Sequence, residues 1–156
     1  MCNIQDFRVG NAVRAEIEVD GYVSIYSCII TKTSLNPLDD KSDLYVEVLY
    51  GKSPQETDYA WVRCDKIIPI PLTQTIMFKL GFSKMATGVL SYRHDKYKIF
   101  VDWEDSCFHV LNCGHPMLDF VQVNYVHEVQ NILANPWLVG RMPFFNPLLY
   151  FKPKSA

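Results

Sequence analysis

The sequence lacks the features that define several large classes of protein. No apolar run approaches the roughly 18 residues that a membrane-spanning helix needs, so we expect no contact with a membrane. Residues 1–6 have neither the basic flank nor the apolar stretch of a secretory signal. Neither half of the chain carries a dense basic patch, and the net charge is −2, so nucleic acid is not the expected partner. These absences favour a soluble protein of the cytoplasm.

The chain has five cysteines but lacks any CxxC pair. An odd set without an export signal predicts free thiols in a reducing compartment rather than a disulfide framework. Cys28 and Cys64 stand in apolar, strand-like contexts and are expected to pack as small hydrophobic residues. What the chain does have is apolar residues, 49% of the total, which is enough for the core of a globular domain.

Residues 1–68 have the pattern of short antiparallel strands. Apolar and charged residues alternate over 13–19, as in a strand with one buried face. Asp20-Gly21 follows, a dipeptide typical of a type I′ hairpin turn, whereas Gly51–Asp58 is predicted to be a longer loop. The predicted strands are 13–19, 22–31, 43–50 and 59–64. This spacing favours an SH3-like small β-barrel or a bent antiparallel sheet.

The chain then continues with a short helix, a second small antiparallel sheet and a longer helix. Thr73 and Gly81 are natural N-terminal and C-terminal caps for a helix over 74–80. A second helix is predicted over 125–133, with Asn124 as its cap. The predicted strands between the two helices are 90–92, 97–103, 107–111 and 117–123. Together with the first strands, these elements predict an α+β fold.

The last segment, 134–156, differs from the single compact domain predicted over 1–133, which divides into 1–68 and 69–133. Four prolines rule out a long regular helix, yet the segment is too apolar to be a free tail. It either wraps its own domain or binds a protein partner or a second copy of the chain. Its candidate contact residues are Trp137, Phe144 and Phe145.

Three short motifs resemble a known group of proteins. Residues 7–13 resemble the opening strand of that group, 69–82 its PLT…LLKxGF motif, and 125–131 its YVHxLQN helix. The group consists of small uncharacterised proteins of Bacteroidetes bacteria and of their phages or mobile elements. The resemblance implies that the protein acts in the cytoplasm of a bacterial host, and it leaves open whether a phage encodes it. It implies no particular activity. Pro136 departs from the helical ending that is usual in the group.

The densest set of metal-binding side chains is Cys107, His109, Cys113 and His115. Cysteine and histidine are zinc ligands, and four of them this close together could form a tetrahedral site. Their spacing is not that of the familiar zinc fingers or ribbons, so we expect no metal or cofactor and interpret the set as an inward cysteine beside an exposed turn. The alternative is a small cysteine- or metal-dependent enzyme centred on residues 94–115, although no catalytic motif such as GxSxG or HExxH is present.

Two sets of side chains are candidate binding surfaces. His127, Gln130 and Asn131 lie at i, i+3 and i+4 of the second predicted helix, so they can present one polar face or hydrogen-bond to the adjacent sheet. The aromatic residues of the first sheet could stack on a peptide or a nucleic-acid base, or they could fill the core. These aromatic residues are Tyr22, Tyr26, Tyr45, Tyr59 and Trp61. We therefore expect a non-enzymatic protein-interaction or accessory protein of phage or mobile-element type, with the enzyme and a weak nucleic-acid binder as alternatives.

Overall fold

The strands and helices of the chain divide into two compact units, Met1–Ile70 with Phe145–Ala156, and Pro71–Phe144. The predicted α+β class, with mostly antiparallel strands, is confirmed. In place of one compact domain over 1–133, the end of the chain groups with its beginning. The computed structural model describes residues 7–34, 45–85, 91–94, 99–102, 107–110, 121–134, 140–149 and 153–155.

The first unit is built on one antiparallel sheet. Its strands are β1 (Ala12–Val19), β2 (Tyr22–Ser34), β3 (Tyr45–Ser53), β4 (Glu56–Arg63), β5 (Ile67–Pro69) and, from the end of the chain, β11 (Lys154–Ser155). The first five lie in the order β4-β3-β2-β1-β5, and β11 pairs with β2. A 3₁₀ turn at Cys64–Lys66 leads from β4 into β5.

The hairpin of β1 and β2 follows the predicted alternation. Val13, Ala15 and Ile17 are buried on one face of β1. Asp20 and Gly21 have positive φ angles of 53° and 82°, which is the conformation that a type I′ turn requires. Aspartate and glycine tolerate this left-handed region better than other residues, so the predicted turn is confirmed.

The loop predicted over Gly51–Asp58 is wrong, because β3 and β4 extend through most of it. β3 ends at Ser53 and β4 begins at Glu56, so only Pro54-Gln55 forms the turn. The register shifts between Gly51 and Ser53, which marks a β-bulge. A Cβ atom at Gly51 would overlap the backbone carbonyl of Glu56, so this close pairing requires glycine.

One face of the sheet encloses the core of the first unit, and we call it the inner face. β1 contacts β4 although two strands separate them, so the sheet curls around the core. Among the described residues of this unit β4 and β5 do not pair, so the sheet is bent and antiparallel, and no closed barrel is formed there. The fully buried core side chains include Val13, Ala15, Cys28, Ile30 and Val48.

The second unit combines a five-stranded antiparallel sheet with two helices. Its elements are α1 (Gln74–Lys79), β6 (Phe82–Lys84), β7 (Ser91–His94), β8 (Ile99–Asp102), β9 (Cys107–Val110), β10 (Val121–Gln122) and α2 (Val126–Leu133). The strands lie in the order β10-β9-β8-β7-β6. Each of the four predicted strands has a counterpart, mostly shorter than predicted, and β6 is an addition to them.

The caps of α1 are those that the sequence predicts. The Thr73 side chain accepts a hydrogen bond from the backbone N–H of Ile76 at 3.3 Å, which satisfies one of the free donors at the helix start. Gly81 has a φ of 97°, and a Cβ atom there would lie 2.8 Å from Nε2 of the buried His94. Both its conformation and this close approach require glycine at the end of α1.

The predicted cap of α2 is wrong by one residue. Tyr125, with an extended backbone, holds the N-cap position, and its side chain makes no capping hydrogen bond. The backbone carbonyl of Asn124 instead accepts a hydrogen bond from the N–H of Leu72 at 3.0 Å. Pairing of the chain just before α2 with the segment before α1 therefore sets where α2 begins.

The end of the chain packs on the first unit. A 3₁₀ turn at Pro147–Leu149 contacts β2 and β3, and β11 pairs with β2. Phe145, Pro147 and Leu148 are buried. Of the two alternatives for the tail, packing on its own chain holds for the described residues 145–149 and 153–155.

Candidate functional site

Three exposed aromatic side chains lie on the outer face of the first sheet, opposite the core. Side chains alternate between the two faces of a strand, so the buried neighbours Val46 and Val62 point inward while these three point outward. Tyr45, Tyr59 and Trp61 are 36%, 59% and 52% exposed. We call these three residues the aromatic face. Large aromatic side chains in solvent are a common feature of binding surfaces.

A polar cluster lies beside the aromatic face. Glu47 of β3 pairs opposite Trp61 of β4, and its carboxylate Oε1 accepts a hydrogen bond from Thr31 Oγ1 at 2.9 Å. Lys32 Nζ lies 3.8 Å from Glu47 Oε2; the lysine side chain is largely exposed, whereas the Glu47 side chain is mostly buried. The cluster and Tyr59 line a shallow depression. Glu47 is thus fixed in position next to two exposed aromatic rings.

β4, which carries two of the three aromatic residues, is an edge strand. Within the described part of the first unit it pairs with β3 and with no other strand. β4 has eight residues, Glu56–Arg63, whereas β5 at the opposite edge has three. A long unpaired edge presents backbone N–H and C=O groups that can pair with another extended chain. The aromatic face and the open edge therefore coincide on one strand.

Two other aromatic residues of the predicted surface differ from each other. Tyr22 is 78% exposed, whereas Tyr26 is only 6% exposed and fills the core, which was the second alternative for this set. Tyr26 packs edge-to-face against Tyr50, with ring centroids 5.0 Å apart and an angle of 71° between the rings. Tyr26 pairs opposite Ala15 of β1, and therefore lies on the inner face.

A cleft at one end of the inner face was not predicted from the sequence. Tyr26 and Tyr50 line it together with Glu56 and Asp58. Burial, and then the negative charge of Asp58, raise the pKa of the Tyr50 hydroxyl, so this group stays protonated at neutral pH. The sequence pattern concealed the cleft because Glu56 and Asp58 were assigned to a loop rather than to β4.

Of the three residues of the candidate polar face on the second helix, two are buried. His127 and Gln130 are 1% and 0% exposed, and Asn131 is partly buried. The Gln130 side chain donates a hydrogen bond to the backbone carbonyl of Pro143 at 3.0 Å, and His127 stacks on Tyr125. The buried side of α2 is wider than its apolar stripe. These residues serve packing, which was the alternative interpretation.

Two of the four residues of the predicted cysteine and histidine set lie among the residues that the structure describes. Cys107 and His109 belong to β9, and Cys113 and His115 lie outside the described residues. Over the described ranges, no group of three or more metal-binding side chains comes together. His94, at one end of the alternative enzyme region, is buried and packs edge-to-face on Phe82.

The three candidate contact residues of the tail have different environments. Phe144 is 74% exposed, Phe145 is 2% exposed, and Trp137 lies outside the described residues. Phe145 is therefore part of the packing of the chain end, and cannot contact a partner without rearrangement. Of these three residues, Phe144 is the one that the described structure shows in solvent.

Comparison with known proteins finds no matching family model, no similar curated protein and no similar solved structure. Within the described residues, no helix is both long enough and apolar enough to cross a membrane.

Proposed function

We propose that this protein is a non-enzymatic binding protein that pairs an extended segment of a protein partner with the edge of β4. The observation that carries this proposal is the exposure of Tyr59 and Trp61 on an edge strand. The backbone of an added strand supplies affinity that depends little on sequence, and pockets for alternate side chains supply specificity. β4 offers an open edge for the backbone of the segment, and Tyr59, beside the shallow depression, and Trp61 offer side-chain contacts.

The spacing of the aromatic residues fits the contacts of an added strand. Tyr59 and Trp61 are two residues apart, so both side chains lie on the same face of β4. Alternate residues of a partner segment paired with β4 would lie beside them on that face. Tyrosine and tryptophan are also the residues that most often dominate the binding energy of protein interfaces.

Charge favours a protein segment over nucleic acid as the partner. Glu56 and Asp58 occupy the first half of β4, and Arg63 occupies its end. A phosphate backbone along this edge would meet carboxylates, whereas a peptide with a basic residue toward the Glu56 end is complementary to them. The exposed Arg63 is already paired with Asp65, with Nη2 and Oδ2 3.2 Å apart.

The strand arrangement supports an SH3-like origin of the first unit. This part of the proposal rests on a meander of β1 to β4, followed by a 3₁₀ turn and by β5, which returns to pair with β1. The motif resemblance adds an accessory role in phage or mobile-element biology inside a bacterial host. In this proposal, the end of the chain stabilises the first unit, and the partner binds at β4.

The proposal can be tested with linear peptides selected from a random library on the full-length protein. Their affinity would then be measured for the wild type, for the Tyr59→Ser/Trp61→Ser double variant and for Tyr22→Ser. We expect the double variant to lose at least about tenfold in affinity, since each residue is a candidate binding hot spot. Tyr22→Ser removes a still more exposed ring from another strand, and should leave the affinity within about twofold. Circular dichroism would verify that all three variants are folded.

Three results would contradict this function. The selected peptides could bind the double variant as tightly as the wild type, which would place their site elsewhere. A single-stranded oligonucleotide could bind the aromatic face with a steep salt dependence, which would identify nucleic acid as the partner. Sedimentation could show a dimer that the double variant abolishes, which would identify a second copy of the chain as the occupant of the edge.

A further inference from the structure

A cleft of about 290 Å³ opens at one end of the core of the first unit. It lies between the end of β1 and the β3–β4 hairpin, on the inner face of the sheet. Tyr26 and Tyr50 contribute aromatic surface to it, and Lys52, Glu56 and Asp58 contribute charged groups. This volume is at the lower limit of the usual range for ligand sites, so it suits a small head group rather than a large cofactor.

The aromatic part of the cleft is well fixed. Tyr26 is 6% exposed, and its edge-to-face contact with Tyr50, at 5.0 Å, positions the second ring. The π face of an aromatic ring carries partial negative charge and attracts cations that approach within about 6 Å of its centre. A ring that is already held in place loses little conformational entropy when it binds such a ligand.

The charged side chains of the cleft also favour a positively charged ligand. Two carboxylates, Glu56 and Asp58, face one ammonium group, Lys52. Asp58 pairs opposite Tyr50 in the β3–β4 register, so its side chain lies on the same face as that ring. Its Oδ1 accepts a hydrogen bond from the backbone N–H of Tyr59 at 2.8 Å, which orients the carboxylate. The negative charges of Asp58 and Asp20 also contribute to the raised pKa of Tyr50, so both act on this end of the cleft.

The geometry points to a binding site for a weakly hydrated organic cation, either a quaternary ammonium or a guanidinium head group, between Tyr50 and Asp58. Aromatic rings combined with carboxylates recognise such cations, because a quaternary ammonium or a guanidinium loses less hydration energy on binding than a primary ammonium does. The head group could belong to a free small molecule or to a side chain of a protein. The site lies on the inner face and shares Glu56 and Asp58 with the acidic half of the β4 edge proposed above, but its aromatic contact is Tyr50, whereas that of the edge is Tyr59 and Trp61.

The test is a titration of the ¹⁵N-labelled full-length protein, followed by NMR amide shifts. One arm uses tetramethylammonium chloride as the free cation, and a second uses N-acetyl-arginine amide as the side-chain analogue. Sodium chloride at the same ionic strength is the control for both arms. We expect saturable shifts that centre on positions 50 and 56–58, with a dissociation constant on the order of millimolar. The tighter of the two probes would identify the class of cation.

Matched variants separate a specific site from general charge attraction. Asp58→Asn keeps an oxygen that can accept the Tyr59 N–H but removes the charge, so it should weaken binding about fivefold. Tyr50→Leu keeps an apolar side chain but removes the ring, so it should weaken binding about tenfold. Glu18→Gln removes an exposed carboxylate of β1 that does not line the cleft, and should leave the affinity within about twofold.

The proposal is overturned if neither probe gives saturable shifts beyond those of sodium chloride at tens of millimolar. It is also overturned if Asp58→Asn and Glu18→Gln weaken binding equally, because the attraction would then be diffuse. Should Tyr50→Leu fail to fold, Asp58→Asn against Glu18→Gln still decides the question. The selected peptides and the β4 double variant test the other site, so either proposal can fail while the other stands.

Discussion

The two faces of the first sheet differ in the size and chemistry of their side chains. The inner face is filled by small and branched apolar residues such as Ala15, Ile30 and Val48, which are fully buried. The outer face of β3 and β4 carries Tyr45, Tyr59 and Trp61, which are in solvent. Close packing of small side chains stabilises a curled sheet, whereas exposed large rings contribute little to folding. The comparison teaches that strand alternation places the packed core on one face of the sheet and the aromatic face on the other, and the cleft at one end of the inner face is the exception.

The largest expected effect contrasts one buried residue with one exposed residue. Ile30→Ala should lower the free energy of unfolding by about 2–5 kcal/mol, because it leaves a cavity in a close-packed core. Trp61→Ala removes a larger side chain but should change the free energy by only about 0.5 kcal/mol, since the ring is half exposed. Urea unfolding followed by circular dichroism measures both. Equal losses would contradict the division of roles between the faces.

The next largest effect on the free energy of unfolding is expected in the hairpin that joins β3 to β4. Gly51→Ala should lower the free energy of unfolding by about 1–3 kcal/mol, because the new methyl group overlaps the Glu56 carbonyl and forces the strands apart. Lys52→Ala, at the exposed neighbouring position, is the matched control and should have little effect. Urea unfolding of both variants tests this. An unchanged stability in Gly51→Ala would mean that the two strands are not held as closely as described.

The buried face also predicts a dependence on pH, through Cys28. Burial raises the pKa of the Cys28 thiol from 9.0 to about 12, so the folded protein keeps the proton over a range in which the unfolded chain loses it. Because the unfolded chain binds fewer protons between pH 9 and 12, the stability contributed by this group is complete below pH 9 and is lost as the pH rises toward 12. This contribution should fall by about 1.4 kcal/mol between pH 8 and pH 10.

Cys28→Ala is the control that isolates the thiol, since other groups also titrate in this range. The decrease in unfolding free energy from pH 8 to pH 10 should be smaller in Cys28→Ala than in the wild type. Identical pH dependence in the two proteins would show that the thiol is not protected by the core. The same burial should make Cys28 resistant to alkylation until the protein is unfolded.

The smallest expected effect on stability concerns Ser27, a residue of the outer face that is nevertheless buried. Ser27 lies between Tyr26 and Cys28 and so points to the outer face, yet it is 2% exposed. Its hydroxyl has no hydrogen-bond partner among the described residues. Ser27→Ala should therefore leave the stability unchanged, or raise the melting temperature slightly, because it removes an unsatisfied buried group. A loss of more than about 1 kcal/mol on urea unfolding would show that the hydroxyl has a partner.

Local sequence patterns predicted the parts of the fold that depend on near neighbours. The alternation over 13–19, the turn at Asp20-Gly21 and the caps at Thr73 and Gly81 each depend on a few adjacent residues, and the structure confirms them. Such features are determined by backbone conformation and side-chain size at the position itself.

Features that depend on distant partners were not predictable in this way. Glu56 and Asp58 are polar and follow Pro54, so they resembled a loop, and only pairing with β3 shows them in a strand. His127 and Gln130 are polar, and their burial depends on neighbours outside α2, such as the Pro143 carbonyl. The pairing of β11 with β2 joins the two ends of the sequence, and no local pattern encodes it.

The central claim, that an extended protein segment pairs with the edge of β4, is tested most directly by amide hydrogen exchange. The full-length protein would be measured with and without a peptide selected on it. We predict that the amides of Glu56–Arg63 that do not bond to β3 exchange rapidly in the free protein, and become protected when the peptide is bound. Unchanged exchange along β4 in a saturated complex would contradict the claim, even if the peptide binds tightly.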